Sequence, residues 1–276
     1  MDYTYAEQKN CDVVVGGVRY FDLAQTLDCG QAFRWREVGA NGFSGIAHGR
    51  RLDVELEGDE LVLKNVLLEE FEMVWKRYFD FSRDYGKLRG DFSGCGHLRN
   101  AMEFSPGLRL MKQDVWEILI SFILSQNSNI PRIKKMIESL CECFGERLEC
   151  GGFAFPSAQV LAKLSEEELA PIKCGYRAAY IIDAANRVAS GNFNPTTLAE
   201  KSSAEIKQVL LEIHGVGPKV ADCVLLYGFG RTECYPVDVW IKRVMAEFYP
   251  NGFPTNLEKH AGIAQQFLFH YARTGM

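Results

Sequence analysis

Lys219 has the sequence surroundings of a reactive amine. It follows Pro218, which is typical of the first residue of a helix, and the apolar residues Val216 and Val220 lie close by. The positive end of a helix dipole and desolvation both disfavour a charged ammonium, and the neutral amine that they favour is a nucleophile. The alternative is a lysine that contacts a phosphate or is simply solvated.

Asp238 is the second side chain with potential chemistry. It lies in the apolar stretch Tyr235-Pro-Val-Asp-Val-Trp240, where an ordinary surface carboxylate is unexpected. One interpretation is a helix cap, because a helix is predicted to begin here. The other is a carboxylate that stabilises a developing cation. Lys219 and Asp238 together would support amine attack on an electropositive carbon, which is the chemistry needed to break an N-glycosidic bond.

The elements that must position Lys219 are a helix, a glycine turn and a second helix. Ser202 and Glu205 have the spacing of a capping box, and the helix that they begin is predicted to end just before Gly215. Gly215 and Gly217 permit a tight turn that leaves backbone N–H groups uncovered. Free amides beside a positive helix end bind anions, and a nucleic-acid phosphate is the expected anion.

Strand patterns dominate the first ninety or so residues, and helix patterns dominate the rest. Strands are predicted within 12–23, 30–38, 42–47, 51–57 and 61–63, with Leu52, Val54 and Leu56 on one buried face. Residues 67–88 are predicted to be helical, and 86–107 to form a loose, glycine-dotted connection. Further helices are predicted over 114–126, from Pro131 to Gly145, after a cap at 165–168, and over 178–190.

The composition is that of a globular protein without a membrane span, with 47% hydrophobic and 24% charged residues and no secretory signal pattern. Nine scattered cysteines favour a reduced, intracellular protein over a disulfide framework. No C-x-x-C pair occurs and no cysteine follows Cys234, so neither a metal site nor an iron–sulfur cluster is expected. The net charge of −5 argues mildly against nucleic acid, but Arg109 to Lys135 holds five basic and two acidic residues, which predicts a local basic surface.

Seven motifs occur in order along nearly the whole chain. They are Cys29-Gly-Gln-Ala-Phe-Arg-Trp35, Gln113-Asp114, Ser125-Gln-Asn-Ser-Asn-Ile-Pro-Arg132, Gly175-Tyr-Arg177, His214-Gly-Val-Gly-Pro-Lys-Val-Ala-Asp-Cys223, Pro236-Val-Asp-Val239 and Ala264-Gln-Gln-Phe-Leu-Phe269. Together they resemble the 8-oxoguanine DNA glycosylases of the helix-hairpin-helix superfamily. The resemblance implies an α+β fold, in which an antiparallel β-sheet domain similar to TATA-binding protein packs on a two-lobed all-α domain. We place the β domain at 1–95, the helical domain at 96–276 and the hairpin motif at 202–229.

The resemblance assigns the chemistry to Lys219 and Asp238. The amine of Lys219 would attack C1′ of the damaged nucleotide and expel the base, and the Schiff base would permit β-elimination that nicks the strand on the 3′ side. Asp238 would support the oxocarbenium-like charge. No cofactor is implied beyond a structural Na⁺ or K⁺ ion at the carbonyls of Leu211, Ile213 and Val216.

The resemblance also implies a pocket for a base flipped out of the stack. Its members would be Gly30, Cys223, Pro236, Asp238, Gln265 and Phe269. The Gly30 carbonyl would accept N7–H, which 8-oxoguanine has and guanine lacks, although Gly30 alone could equally be a strand bulge. Gln265 can donate and accept, which suits a Watson–Crick edge. Phe269 and Cys223 would stack on the two base faces, whereas as bare residues both are typical of a helical core.

Contacts to DNA are implied for Asn127, Arg132, Tyr176, Arg177, Gly215, Val216, Gly217 and Trp240. Asn127, Arg132 and Arg177 would reach the orphan cytosine, and Tyr176 would wedge into the stack. The sequence departs from the family pattern in three places. Trp240 stands where the animal enzymes have a phosphate-contacting histidine, 247–259 is shorter, and Ser125, Gln126 and Ser128 differ from the expected small polar run.

The sequence thus predicts a monomeric DNA glycosylase and AP lyase that excises 8-oxoguanine from duplex DNA, preferably opposite cytosine. It would be cytoplasmic and nucleoid-associated in a prokaryote, the source that the compact chain favours, and nuclear in a eukaryote. One alternative is a glycosylase of the same superfamily that acts on alkylated bases. Such enzymes usually lack the hairpin lysine. A non-catalytic helix-hairpin-helix module would not need Asp238 or the Gln265 and Phe269 pair, and a metal-dependent nuclease lacks a convincing ligand cluster.

Overall fold

The computed structural model describes residues 1–275, which form two compact units. Unit 1 contains Met1–Gly45, Leu52–Lys112 and the C-terminal segment that starts at Val237, and unit 2 contains Ile46–Arg51 and Gln113–Pro236. This division differs from the boundary predicted at residue 95, because the last helix packs against a helix at 96–104 within unit 1.

A six-stranded antiparallel sheet occupies the N-terminal part of the chain. The strands are β1 Tyr5–Lys9, β2 Asp12–Gly16, β3 Trp35–Val38, β4 Gly42–Ala47, β5 Arg50–Glu57 and β6 Glu60–Lys64, in the order β1-β2-β6-β5-β4-β3. Val54 pairs with Leu63 and Leu56 with Leu61. Leu52 and Val54 are buried as predicted, and Leu56 is half-buried. The antiparallel sheet is therefore confirmed, although β1 escaped the sequence analysis.

Unit 1 also carries one helix between β2 and β3 and several helices that follow β6 in the sequence. They are α1 Leu23–Leu27, α2 Leu68–Glu70, α3 Lys76–Tyr78, α4 Tyr85–Phe92 and α5 Gly96–Phe104, with a π-helical turn Phe71–Trp75 between α2 and α3. The loose connection predicted over 86–107 is wrong, because α4 and α5 fill most of it. Asp84 caps α4 by accepting a hydrogen bond from the Lys87 amide, and burial of Leu88 and Phe92 offsets the unfavourable glycines of this helix.

Arg109 is buried in the core of unit 1. Its guanidinium donates to the Asp2 carboxylate at 3.0 Å and to the carbonyl oxygens of Phe79 and Asp80 at 3.1 and 2.7 Å. The side chain has no solvent exposure. Its inclusion in the predicted basic surface is therefore wrong, and only the later members of that charge cluster, such as Arg132 and Lys135, are exposed.

Unit 2 is built almost entirely from helices. They are α6 Val115–Ser125, α7 Ile130–Phe144, α8 Ala158–Leu161, α9 Arg177–Ala189, α10 Pro195–Leu198, α11 Ser203–Leu211 and α12 Pro218–Cys223, with a 3-10 turn at Ala170–Ile172 and a π-helical segment at Val224–Gly228. The predictions for α6, α7 and α9 are confirmed within one or two residues. Ser165 and Glu168 do exchange capping hydrogen bonds, but only a turn and the short 3-10 helix follow them.

The C-terminal segment returns to unit 1. It contains α13 Val239–Phe248, a 3-10 segment Thr255–His260 and α14 Ala261–Thr274. Most of α14 is buried, and this helix packs against α5 and α13. It therefore holds the first residues of the last predicted motif, Ala264 onward, in the interior of unit 1.

Candidate active site

The hairpin in unit 2 forms as the sequence predicts. Ser202 and Glu205 make both hydrogen bonds of a capping box at the start of α11. Gly215 has a φ of 80°, and a Cβ atom there would collide with the Tyr180 ring. Gly217 precedes α12 with an ordinary φ of −91°. Two glycines thus serve the turn differently: one gives it its conformation, and the other is the N-cap of the second helix.

The backbone groups of the turn are only partly free. The Val216 amide donates to the Ile213 carbonyl at 3.0 Å. The amides of Gly215 and Gly217 have no acceptor within residues 1–275 and lie beside the start of α12. These two amides keep the anion-binding character expected of the hairpin.

Lys219 is the second residue of α12 and is half-buried. Its Nζ lies 4.8 Å from the centroid of the Phe122 ring of α6. That ring is stacked on Tyr227, with centroids 5.4 Å apart and an interplanar angle of 9°. The Lys219 side chain therefore makes a cation–π contact with Phe122, and the stacked aromatic pair restricts its position. The sequence analysis missed Phe122 and Tyr227, because each is an ordinary core residue of its own helix.

Cys223 and Pro236, the two residues of unit 2 that are predicted to line the base pocket, are both buried. Cys223 is one helical turn beyond Lys219, which places the two residues on the same side of α12.

The residues predicted to meet the opposite strand lie at the ends of three elements of unit 2. Asn127 follows α6 with a φ of 47° and is exposed, and Arg132 is exposed in the first turn of α7. Tyr176 is 52% exposed just before α9. Arg177 is buried, and its guanidinium donates to the carbonyls of Gln126 and Asn127. In this structure Arg177 therefore holds the Asn127 turn.

Unit 1 carries Asp238 and Trp240 at the start of α13. Asp238 Oδ1 accepts the amides of Trp240 at 3.0 Å and Ile241 at 2.9 Å. The interpretation of Asp238 as a helix cap is thereby confirmed. Both bonds use the same oxygen, so Oδ2 remains available to another group. Trp240 is half-buried, and the guanidinium carbon of Arg243 lies 5.2 Å from its ring centroid.

Unit 1 also carries Gly30, Gln265 and Phe269. Gly30 has a φ of 92° in the loop between α1 and β3, so it is not a strand bulge and requires a glycine. Phe269 is half-buried on α14, with the Arg273 guanidinium 5.8 Å from its ring centroid. Gln265 is 3% exposed, and its Oε1 has no hydrogen-bond partner among the described residues. A buried acceptor without a partner is costly, and a hydrogen bond from a ligand would remove that cost.

Known proteins resemble this chain in sequence and in fold. Residues 14–119 match the family model of the 8-oxoguanine DNA glycosylase N-terminal domain, and residues 120–261 match that of HhH-GPD superfamily base excision DNA repair proteins. The chain belongs to the 8-oxoguanine DNA glycosylase family of the HhH-GPD superfamily. The matched regions meet at residues 119 and 120, and the boundary predicted at residue 95 stays a prediction.

Three relatives span most or all of this glycosylase. A probable N-glycosylase/DNA lyase from Methanothermobacter thermautotrophicus is 32% identical over 265 residues, covering 83% of each chain. The structure of an 8-oxoguanine glycosylase/lyase from Clostridium acetobutylicum, in complex with double-stranded DNA containing cytosine opposite 8-oxoguanine, is 35% identical with a TM-score of 0.93, covering 100% of this chain and 99% of that one. The structure of MBOgg1 with a low affinity DNA ligand is 42% identical with a TM-score of 0.93, covering 99% of each chain.

Neither a cluster of metal ligands nor a membrane-spanning helix occurs in the described part of this glycosylase. Residues 1–275 contain no group of three or more His, Cys, Asp or Glu side chains that could hold a metal ion. Within the same range, every helix is too short or too polar to cross a bilayer.

Proposed function

We infer that this glycosylase excises 8-oxoguanine from duplex DNA and then cleaves the strand as an AP lyase. Lys219 carries this inference, because a half-buried lysine at the second position of α12 would supply the amine that a lyase needs to form a Schiff base. The N-glycosylase/DNA lyase names of its relatives support both activities. The enzyme acts on double-stranded DNA in base excision repair.

The reaction begins at Lys219. The neutral amine attacks C1′, the N-glycosidic bond breaks, and its electron pair leaves with the base. Loss of a proton from nitrogen and opening of the sugar ring give the Schiff base, which acidifies the C2′ protons. Removal of a C2′ proton then expels the 3′ phosphate and nicks the strand.

Asp238 would act while the N-glycosidic bond breaks. As the glycosidic bond stretches, positive charge develops on the sugar, and the free Oδ2 of Asp238 stabilises it. Its Oδ1 meanwhile holds the first amides of α13, which gives the carboxylate a defined direction. We propose that one side chain serves both tasks.

Recognition of the base would rest on Gly30, Gln265 and Phe269. The Gly30 carbonyl would accept N7–H, and the unpartnered Gln265 Oε1 would accept a donor from the Watson–Crick edge. Phe269 and Cys223 would cover the two faces of the ring, and Pro236 would line the pocket. Guanine lacks the N7 proton, so its N7 lone pair would face a carbonyl lone pair, which disfavours the undamaged base.

The opposite strand would be held from unit 2. Asn127 and Arg132 would bond to the orphan cytosine, and exposed Tyr176 would fill the stack. Arg177 would support this contact by holding the Asn127 turn, a role that differs from direct cytosine recognition.

Phosphate contacts would come from two helix starts. The free amides of Gly215 and Gly217 would hold one phosphate, with Val216 between them. At the second helix start, that of α13, Trp240 stands where the animal enzymes have a histidine. We propose that Arg243, whose guanidinium lies over the Trp240 ring, supplies the positive charge in its place.

A structural Na⁺ or K⁺ ion would suit the hairpin. The carbonyls of Leu211 and Val216 accept no hydrogen bond within residues 1–275, and oxygen donors are the ligands that such hard cations prefer. The Ile213 carbonyl accepts the Val216 amide and has a second lone pair. These oxygens would hold the ion and stiffen the turn before Lys219.

We further propose that the enzyme works as a monomer at the chromosome, in the cytoplasm of a prokaryote or the nucleus of a eukaryote. The absence of a membrane-spanning helix from residues 1–275 is compatible with either place. The alternative function is excision of alkylated bases, as in other glycosylases of the superfamily. Hydrolysis of the N-glycosidic bond without strand cleavage would favour it.

The test is excision from duplexes that carry 8-oxoguanine opposite each of the four bases. We expect fastest cleavage opposite cytosine and a flatter profile in Arg132→Ala, because the guanidinium would no longer bond to the orphan base. Lys135→Ala, on the same helix, is the matched control and should keep the cytosine preference. A flat profile in the unaltered enzyme would contradict the assigned roles of Asn127 and Arg132, and no excision opposite any base would refute the proposed function.

A further inference from the structure

The loop between α1 and β3 presents Gly30 without the support of a regular element. Gly30 itself has a φ of 92°, and its neighbour Cys29 has no solvent exposure. The loop must therefore be held in place by side-chain contacts. Two glutamines make them.

Gln31 ties the loop to the backbone on both sides. Its Nε2 donates to the Thr26 carbonyl at 2.9 Å and to the Arg109 carbonyl at 2.7 Å, and its Oε1 accepts the Met111 amide at 2.9 Å. Gln31 is fully buried. These contacts anchor the residue that follows Gly30.

Gln266 holds the residue that precedes Gly30. Its Nε2 donates to the Cys29 carbonyl at 3.3 Å and to Cys29 Sγ at 3.2 Å. The Cys29 carbonyl belongs to the peptide that joins Cys29 to Gly30, so its direction affects the backbone angles at Gly30. Gln266 is 1% exposed, and it is adjacent on α14 to Gln265, whose Oε1 has no partner.

Cys29 suits this arrangement as a neutral thiol. Burial raises the pKa of Cys29 to about 11, so the sulfur keeps its proton at neutral pH. The thiol donates to the Thr26 carbonyl at 3.3 Å and accepts from both glutamine side chains. Away from water, a negative charge on this sulfur would carry a considerable cost.

We propose that Gln266 is a positioning residue for base discrimination, which sets the direction of the Gly30 carbonyl through the Cys29–Gly30 peptide. The inference rests on the proposed function, since it assumes that this carbonyl reads N7–H. Two adjacent residues of α14 then divide the work: Gln265 faces the base and Gln266 holds the loop that faces its other edge. Residues Gln266 and Cys29 would not touch the substrate themselves.

Gln266→Met tests this, because methionine keeps the length of the side chain and removes the donor. Its excision of 8-oxoguanine should fall about tenfold, the loss expected from one buried hydrogen bond, and its ratio of 8-oxoguanine to guanine excision should fall with it. Cleavage of a duplex with a ready-made abasic site needs no base recognition and should stay within about twofold.

Gln8→Met is the matched control. Gln8 also bonds to the backbone of unit 1, donating to the carbonyls of Asp12 and Val66, and none of its hydrogen bonds within residues 1–275 reaches the Gly30 loop. Destabilisation alone should therefore lower both activities together in this variant. Equal losses on both substrates in Gln266→Met, or no loss on either, would overturn the inference. An unaltered enzyme that cuts abasic DNA and leaves 8-oxoguanine in place would instead overturn the proposed function and this inference with it.

Discussion

Asp238 illustrates how one side chain can satisfy a structural and a catalytic requirement. Its sequence surroundings left a helix cap and a charge-stabilising carboxylate as alternatives, and the structure confirms the cap. The two are compatible, because capping uses Oδ1 for both the Trp240 and Ile241 amides. A substitution can therefore remove the negative charge of Asp238 and keep its capping hydrogen bonds.

Asp238→Asn should distinguish the capping role of Asp238 from its electrostatic role. Asparagine caps helices about as well as aspartate, so the free energy of unfolding should change by less than about 0.5 kcal/mol. Loss of the negative charge should slow base excision by about 100-fold, a typical loss for one preorganised electrostatic group. Urea denaturation and single-turnover excision measure the two effects. Asp238→Ala, which removes the cap as well, should lose about 1 kcal/mol of stability. Unchanged excision in Asp238→Asn would rule out the electrostatic role.

The hairpin depends on the helix that leads into it. The capping box of Ser202 and Glu205 is exposed, so its loss should leave the core intact. We expect Ser202→Ala to lower the free energy of unfolding by about 1 kcal/mol in urea denaturation. Ser190→Ala, also an exposed serine next to a helix end, should change it by less than about 0.5 kcal/mol. Equal effects of the two substitutions would show that the box contributes nothing.

The elements that the sequence predicted well carry local signals of their own. The capping box, Pro218 and the apolar run of α6 each specify a helix within a few residues. Helices α4 and α5 have weaker signals, since glycines lie within α4 and at the start of α5. Tertiary burial of residues such as Phe92 and Leu98 stabilises these helices. The glycines suggested a loop, and packing outweighed them.

The candidate site likewise contains residues that the sequence predicted and residues that it missed. Lys219 and Asp238 stand out in the sequence because charge is unexpected in apolar surroundings. Gln266 and Phe122 do not stand out, because their roles depend on partners more than 100 positions away or in another helix. Long-range contacts of this kind leave no periodic trace in a single sequence.

Charge distribution over the protein bears on how it meets DNA. The net charge is −5, yet α7 presents exposed Arg132 and Lys135. Binding to duplex DNA should therefore weaken with salt through a few local phosphate contacts. We expect Lys135→Ala to reduce the slope of log K against log salt concentration by about 1, and exposed Lys163, outside this cluster, to leave it unchanged when replaced by alanine. Fluorescence anisotropy over a salt series measures both slopes, and equal slopes for the two variants would contradict a local basic surface.

The central claim is that Lys219 forms the covalent bond to DNA. Borohydride reduces a Schiff base to a stable amine, so it traps the enzyme on a duplex that carries one 8-oxoguanine. We expect a trapped adduct and a nicked strand with the unaltered enzyme and with Lys201→Gln, an exposed lysine just before α11. Lys219→Gln should form no adduct while it remains folded. A covalent adduct that persists in Lys219→Gln would contradict the account.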